Sequence, residues 1–296
     1  MGFEKASHNR RASPNEVRAV RRATQGIFTN WQTGFNSLIM IKVLYEDNHI
    51  IAVVKPAGVL TQGDRSGDSC LLDYVKEYLK AKYKKPGNVF LGLAHRLDKP
   101  VSGIVLFGKT SKGAARLSEQ FRNHTIQKIY HGIVAGKLKE QKGAIKEKVN
   151  KIAFFAEGFA KKSDEELLQE IKKATKTRTA ELSWEAVNPV RNTARACVPG
   201  GTMGRAVSNG VKANDKFSLV KILPKTGRFH QIRIQMANMG HPILGDRKYS
   251  KTKMTAWKMD SEIALCATGI SFKIATGEKT INLQIPLPEE WSKFLI

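Results

Sequence analysis

One carboxylate, Asp98, lies between a basic pair and a small turn in the segment His95-Arg96-Leu97-Asp98-Lys99-Pro100-Val101-Ser102-Gly103. The apolar run Ile104-Val105-Leu106-Phe107 follows directly. A short carboxylate at the mouth of a buried strand suits a nucleophile or a general base. A second segment gathers donors: Thr226-Gly227-Arg228-Phe229-His230-Gln231-Ile232-Arg233, then Gly240-His241-Pro242-Ile243-Leu244-Gly245-Asp246 and Tyr249. This spacing predicts a glycine turn, a short helix rich in cations and amides, and a second turn. Such a helix offers a guanidinium and amide donors to a carboxylate or a phosphate. An ordinary amphipathic helix with Ile232, Met236 and Met239 inward accounts for the apolar residues. It does not account for Arg228, His230, Gln231 and Arg233 together.

Regular elements must hold these segments. Residues 41–45 and 50–54 are β-branched runs around the turn Glu46-Asp47-Asn48, and Lys55-Pro56-Ala57-Gly58 closes the second. Residues 71–79 carry apolar side chains at helical spacing. A strand is expected at 104–107, then a helix capped by Ser111 with Ala114, Leu117 and Phe121 on its inner face. Residues 126–134 read as a strand containing Tyr130. Clean alternation at 179–184 predicts a strand with one buried face, and regular structure resumes at 217–220. The strands 179–187 and 217–223 are expected to pair as a hairpin. A last strand is expected over 281–288. Many strands with few helices, without βαβ alternation, predict a mixed, largely antiparallel α+β domain.

Two Lys-rich or turn-rich stretches, 145–176 and 188–214, read as insertions; a capping box at Ser163-Asp164-Glu165-Glu166 opens a short helix in the first. Residues 1–39 read as a basic arm, too poor in apolar residues for a core of its own. An RNA-touching tail and a non-native extension both fit it. Residues 40–296 are then the folded domain that holds both segments.

The 296 residues carry a formal net charge of +24 and are 41% hydrophobic. So basic a chain is expected to meet a polyanion, although the lysine run 80–85 also fits plain solvated surface. The three cysteines form no C-x-x-C pair, and no apolar run has the length of a membrane span. A reducing cytosol is the expectation, with no secretory signal and no membrane association. The seven histidines are scattered, and no metal-ligand cluster stands out.

The Asp98 segment resembles the H-R-L-D-x-x-T-S-G signature of the RluA-type RNA pseudouridine synthases, with Val101 where Thr is usual. The second segment resembles the same family's T-G-R-x-H-Q-I-R…G-H-P-I-x-G-D-x-x-Y block, with Gln235 where His is frequent. Lys55-Pro56-Ala57-Gly58 and Lys128-Ile129-Tyr130 look like its K-P-x-G and K-x-Y elements. Leu265-Cys266-Ala267 looks like its L-H-A element with Cys for His. Five elements in the family's order, from about residue 41 to 288, make a specific match.

The resemblance implies a sheet with a central cleft holding the Asp98 loop. It implies isomerisation of uridine in ribosomal or transfer RNA: the base leaves the ribose at N1, rotates and rejoins through C5, with no cofactor or metal. Asp98 is the implied nucleophile or base. Arg233 is expected to pair with it and lower its pKa by about 1–3 units. Tyr130 is expected to stack on the target uracil, and Arg96 to fill the gap left by the extruded nucleotide. His95, Lys55, Arg228, His230 and Gln231 are expected RNA contacts. A monomer without an obligatory protein partner is expected. Two rivals stand beside this reading. One is a non-catalytic RNA-binding or ribosome-assembly protein, which has no need of a carboxylate facing a polyanion. The other is a nuclease, which normally needs clustered metal-binding carboxylates; Asp73, Asp98 and Asp246 lack that spacing.

Overall fold

A computed structural model of the chain describes residues 41–64, 67–149, 178–187, 216–250 and 262–295. The expected arm at 1–39, the helix near 163–171 and the loop 188–214 lie outside the described residues.

The order of elements is β1 (Val43–Glu46), β2 (Ile50–Lys55), α1 (Leu71–Lys82), β3 (Gly92–Leu93), β4 (Ser102–Gly108), α2 (Ser111–Arg122), β5 (Gln127–Ala135), β6 (Lys142–Val149), β7 (Arg178–Ala186), β8 (Phe217–Pro224), α3 (Gln231–Asn238), β9 (Leu265–Lys273) and β10 (Thr280–Gln284). A 3₁₀ helix, Glu289–Phe294, follows. The strands form one sheet in the order β1-β2-β4-β9-β5-β8-β7-β6, with β3 on β4 and β10 on β9. Among the described residues every pairing of these strands is antiparallel except β4 with β9. The architecture is the expected mixed, largely antiparallel α+β sheet, and β7 and β8 pair as expected.

β2 and β4 are apolar on both faces because both faces are covered. Ile51, Val53, Val105 and Phe107 point into one core, with Leu71, Val75 and Leu79 of α1 and with Leu97, Val101, Ile232 and Met236. Ile50, Ala52, Ile104 and Leu106 point into the other, with Leu117 of α2. This is the two-residue period of a strand read on both sides. The Asp98 loop and α3 belong to the first face.

Several local expectations are corrected. The N-cap of α2 is Thr110, not Ser111; its hydroxyl accepts from Gly113 N–H at 3.1 Å. The insertion expected from 145 is strand up to 149, since β6 pairs with β7 along its whole length. Among the described residues β6 ends the strand order and pairs on one side only, and it carries Lys142, Lys146 and Glu147, which hide its apolar period. The last strand stops at Gln284, and the chain then turns into the 3₁₀ helix that buries Trp291 and Phe294.

β4 and β9 meet over two residue pairs, Ser102 with Cys266 and Gly103 with Ala267. That contact lies just after the Asp98 loop, near the middle of the sheet. Gly103 has φ +125°, and a Cβ there would stand 2.4 Å from the Ala267 carbonyl oxygen. Only glycine permits that backbone and that approach. Gly103→Ala is therefore expected to destabilise the fold by at least about 2 kcal/mol. Urea unfolding of the two proteins checks this; equal midpoints would refute it.

Candidate active site

The Asp98 loop is braced before any side chain reaches out. Val101 N–H bonds the Asp98 carbonyl at 3.0 Å and closes a turn. The Lys99 carbonyl accepts from Gly58 N–H at 2.9 Å and from Lys55 Nζ at 3.1 Å. Ile263 N–H reaches the Pro100 carbonyl. Thr61 clamps Leu97 from both sides: its hydroxyl donates to the Leu97 carbonyl at 2.7 Å and accepts from its N–H at 3.1 Å. Lys55-Pro56-Ala57-Gly58 is thus the strap that fixes the backbone around Asp98.

Lys55 is 0% exposed, and its ammonium also donates to the carbonyls of Pro56 and Val59. Burial pushes its pKa down to about 7, and the charge of Asp98 works against that fall. Lys55 was expected among the RNA contacts; in the structure its ammonium is fully covered, has three carbonyl partners and holds the loop.

The second segment supplies the partner of Asp98. Thr226 to His230 make the turn and α3 begins at Gln231. His230, at the N-cap, sits in the left-handed region at φ 50° and ψ 24°. A non-glycine residue held there is uncommon and is often found at functional sites. α3 is buried on every side from Gln231 to Met236, not on one stripe. Gln231 and Arg233 point at built partners, while Gln235 donates to the Ala180 carbonyl at 3.3 Å and leaves its buried Oε1 unbonded. Gln231 accepts from Thr226 Oγ1 and Arg228 N–H, and donates to the Glu181 carbonyl at 3.0 Å. It closes the turn against β7, and its described hydrogen bonds are all spent inside the fold.

Arg233 joins two carboxylates. Its Nε and Nη2 hold Asp246 at 2.6 and 2.9 Å, a bidentate pair, and Nη1 reaches Asp98 Oδ2 at 3.2 Å. The guanidinium lies 4.9 Å from the centre of the Tyr249 ring. The Tyr249 hydroxyl shares a hydrogen bond with His230 Nδ1, while His230 Nε2 stands 3.4 Å from Asp98 Oδ2. Burial and the cations Arg233 and Lys248 push His230 down to about 3, so the ring is neutral near pH 7. Phe229 stacks on the same imidazole with ring centres 3.8 Å apart.

Arg233 pulls the Asp98 pKa down as expected, but its pull does not set the net direction. Burial raises the pKa, the charge and hydrogen bond of Arg233 oppose that, Asp246 adds a second negative charge, and the net direction is upward. Arg233 gives its closest contacts to Asp246 and leaves Asp98 a single longer one. A shared guanidinium does not offset the desolvation.

The other expected residues divide. Tyr130 lies partly buried on the Asp98 side of the sheet, and burial followed by the Asp98 charge pushes its phenol well above the ordinary range. The β5–β9 register skips Thr268 between Ile129 and Tyr130. Such a bulge sharpens the local twist, a device common beside active sites. Arg96 is exposed, two residues before Asp98. Arg228 is half-buried, its Nε donating to the Thr179 carbonyl at 3.2 Å. His95 is not brought to the cluster. Its Nε2 accepts from Leu106 N–H at 2.9 Å, its ring stacks on Phe121 at 4.5 Å, and burial pushes its pKa to about 3. These contacts make it a support for β4. Thr61, Asp246 and Tyr249 were not selected as site residues from sequence. For Asp246 and Tyr249 a signal existed, since both close the Gly240–Tyr249 block.

A family model described as RNA pseudouridylate synthase matches residues 49–238. The chain belongs to the RNA pseudouridylate synthase family. It is similar to tRNA pseudouridine synthase C of Salmonella typhi, 33% identical over 263 residues, covering 86% of this chain and 89% of that one. The Vibrio cholerae protein of the same name is 31% identical over 210 residues, covering 70% and 73%. Ribosomal large subunit pseudouridine synthase C of Buchnera aphidicola is 26% identical over 264 residues, covering 87% and 70%. Among solved structures, human RNA pseudouridylate synthase domain containing 4 superposes with a TM-score of 0.59 at 19% identity, covering 84% of this chain and 90% of that one. That last likeness is one of fold. The protein is an RNA pseudouridine synthase, an isomerase whose substrate is RNA. Among the described residues no helix is long and apolar enough to cross a membrane.

The raised Asp98 pKa carries a sign. A carboxylate whose folded pKa lies above its unfolded value binds a proton more readily in the fold, so its ionised form lowers stability at neutral pH. Asp98→Asn is expected to raise the melting temperature at pH 7. That gain should shrink as pH falls through the folded pKa and vanish below the ordinary value of 3.8. Melts at pH 7 and at successively lower pH check it; a lower melting temperature for the variant at pH 7 would contradict it.

Proposed function

We propose that Asp98 is the group that acts on the target uridine, as nucleophile or base at the ribose and base atoms. One observation carries this reading. Of the two carboxylates on Arg233, Asp246 is 1% exposed while the Asp98 side chain keeps 27%. Only Asp98 is open to a nucleotide. In the isomerisation the bond from C1′ to N1 breaks and a bond from C1′ to C5 forms. The proton on C5 leaves and N1 gains one, so the reaction balances without an oxidant.

Arg233 aims Asp98 and is itself aimed by Asp246 and the Tyr249 ring. His230 completes the wall beside Asp98 as a neutral imidazole. Tyr130 stacks on the uracil. Exposed Arg96 takes the place of the nucleotide drawn out of its stack, because C1′ and C5 cannot be reached inside a helix. Arg228 contributes positive charge at the rim. The enzyme acts as a monomer in the cytosol. Transfer RNA is the proposed substrate, supported by the names of the Salmonella and Vibrio relatives, and ribosomal RNA is the second reading, supported by the Buchnera relative.

Unmodified transfer RNA transcripts and large-subunit ribosomal RNA fragments, incubated separately with the protein, test this reading. Pseudouridine is expected in the transfer RNA arm. Formation only in the ribosomal arm would overturn the substrate. Asp98→Asn is expected to abolish product while RNA affinity stays equal or rises, since one negative charge is lost. Residual turnover well above background would remove Asp98 from its role. Affinity should also fall linearly in logarithm with the logarithm of salt; a flat response would show that the +24 charge is not a binding surface.

A further inference from the structure

The lysine run Lys80-Ala81-Lys82-Tyr83-Lys84-Lys85 takes no part in the site above. At its centre Tyr83 ends α1 and is 46% exposed, yet both ends of the residue are fixed. Its N–H bonds the Leu79 carbonyl, and its hydroxyl donates to Glu46 Oε1 at 2.6 Å. Glu46 in turn accepts from Tyr78 at 3.2 Å, Lys82 at 2.6 Å and Lys109 at 2.7 Å. Burial alone would raise the Glu46 pKa; donors from Lys109, Lys82 and Tyr83 outweigh it and hold Glu46 at about 2. The ammoniums of Lys109, Lys82 and Lys85 stand 4.8, 5.6 and 5.7 Å from the centre of the Tyr83 ring. Lys80 and Lys84 are exposed beside them.

A merely solvated helix end has no need of a largely covered carboxylate that anchors an exposed aromatic ring among lysines. An aromatic face set in positive charge is the arrangement that takes a nucleotide, with the base on the ring and its phosphates on the cations. We propose that Tyr83 and its lysines are a second RNA contact, on which an unpaired base of the substrate stacks while Lys84 and Lys85 hold the neighbouring phosphates. This rests on the chain being an RNA enzyme and extends where the RNA lies. Lys109 follows the last residue of β4 and Asp98 precedes its first. The seven residues of β4 separate the two places by roughly 20 Å. α1 and the Asp98 loop pack on the same face of the sheet, so one folded RNA spans both.

The test uses the full chain, an unmodified transfer RNA transcript and binding measured by fluorescence anisotropy over a range of salt. Tyr83→Ala is expected to weaken binding about tenfold, and Tyr83→Phe, which keeps the ring, by no more than about twofold. Lys84→Gln with Lys85→Gln should reduce the salt slope by roughly 0.7 per lysine. The exposed pair Lys139→Gln with Lys142→Gln, outside the cluster, serves as the control for charge alone. The saturated isomerisation rate should be unchanged in all four. Wild-type affinity for Tyr83→Ala would overturn the proposal. Equal losses in Tyr83→Ala and Tyr83→Phe would do so too, leaving Tyr83 as a structural post through its hydroxyl. A control pair as damaging as the Lys84 and Lys85 pair would reduce the patch to unspecific charge. Wild-type binding itself tests the enzyme reading, while only the differences among variants test this surface.

Discussion

Arg233 is buried between two carboxylates, and its charge is divided unequally between them. Two short bonds hold Asp246 and one longer bond holds Asp98. A buried ion pair adds little net stability, because desolvation offsets much of its attraction. Its value here lies in direction. Asp246 spends most of the guanidinium, and what remains aims Asp98 without fully compensating its burial. The carboxylate open to solvent is thereby more basic than an ordinary one, as suits the role proposed for it.

The surrounding structure serves that division. α3 is covered on all sides so that Arg233 cannot swing to solvent. The turn before it is tied to β7 through Gln231 and Glu181. On the opposite side, Lys55, Gly58, Thr61 and Ile263 fix the backbone of the Asp98 loop from two segments of the chain. The two-residue contact of β4 with β9, permitted by Gly103, sets that loop near the middle of the sheet. Positioning to a fraction of an ångström is worth more to a reaction of this kind than any single contact.

Much of this was legible in the sequence where a local pattern reports directly on burial. β2 and β4 were visible as continuous apolar runs, and the β7–β8 hairpin as alternation with a break between its strands. The pairing of Asp98 with Arg233 followed from the family resemblance. What stayed hidden depends on partners distant along the chain. Thr61 braces Leu97 across 36 residues, and nothing in its neighbours announces it. His95 looked like an RNA contact beside Arg96, but strand order places its ring beneath Leu106 and against Phe121. Lys55 was expected among the RNA contacts, and nothing in its sequence surroundings showed that its ammonium would be fully covered. The net direction of the Asp98 pKa was hidden because adjacency of a guanidinium reports neither the burial that outweighs it nor the second carboxylate that shares it. β6 was hidden because a strand paired on one side carries charges that blur its period.

The single-turnover rate at saturating RNA, followed against pH for the wild type and Asp246→Asn, tests the shared guanidinium most directly. The acid limb reports Asp98. The wild-type midpoint is expected above the ordinary carboxylate value of 3.8. Removing the Asp246 charge leaves the guanidinium to Asp98 alone, so the variant's midpoint should move to lower pH even as its rate falls. A wild-type midpoint at or below the ordinary value, or a midpoint that rises in Asp246→Asn, would contradict the account.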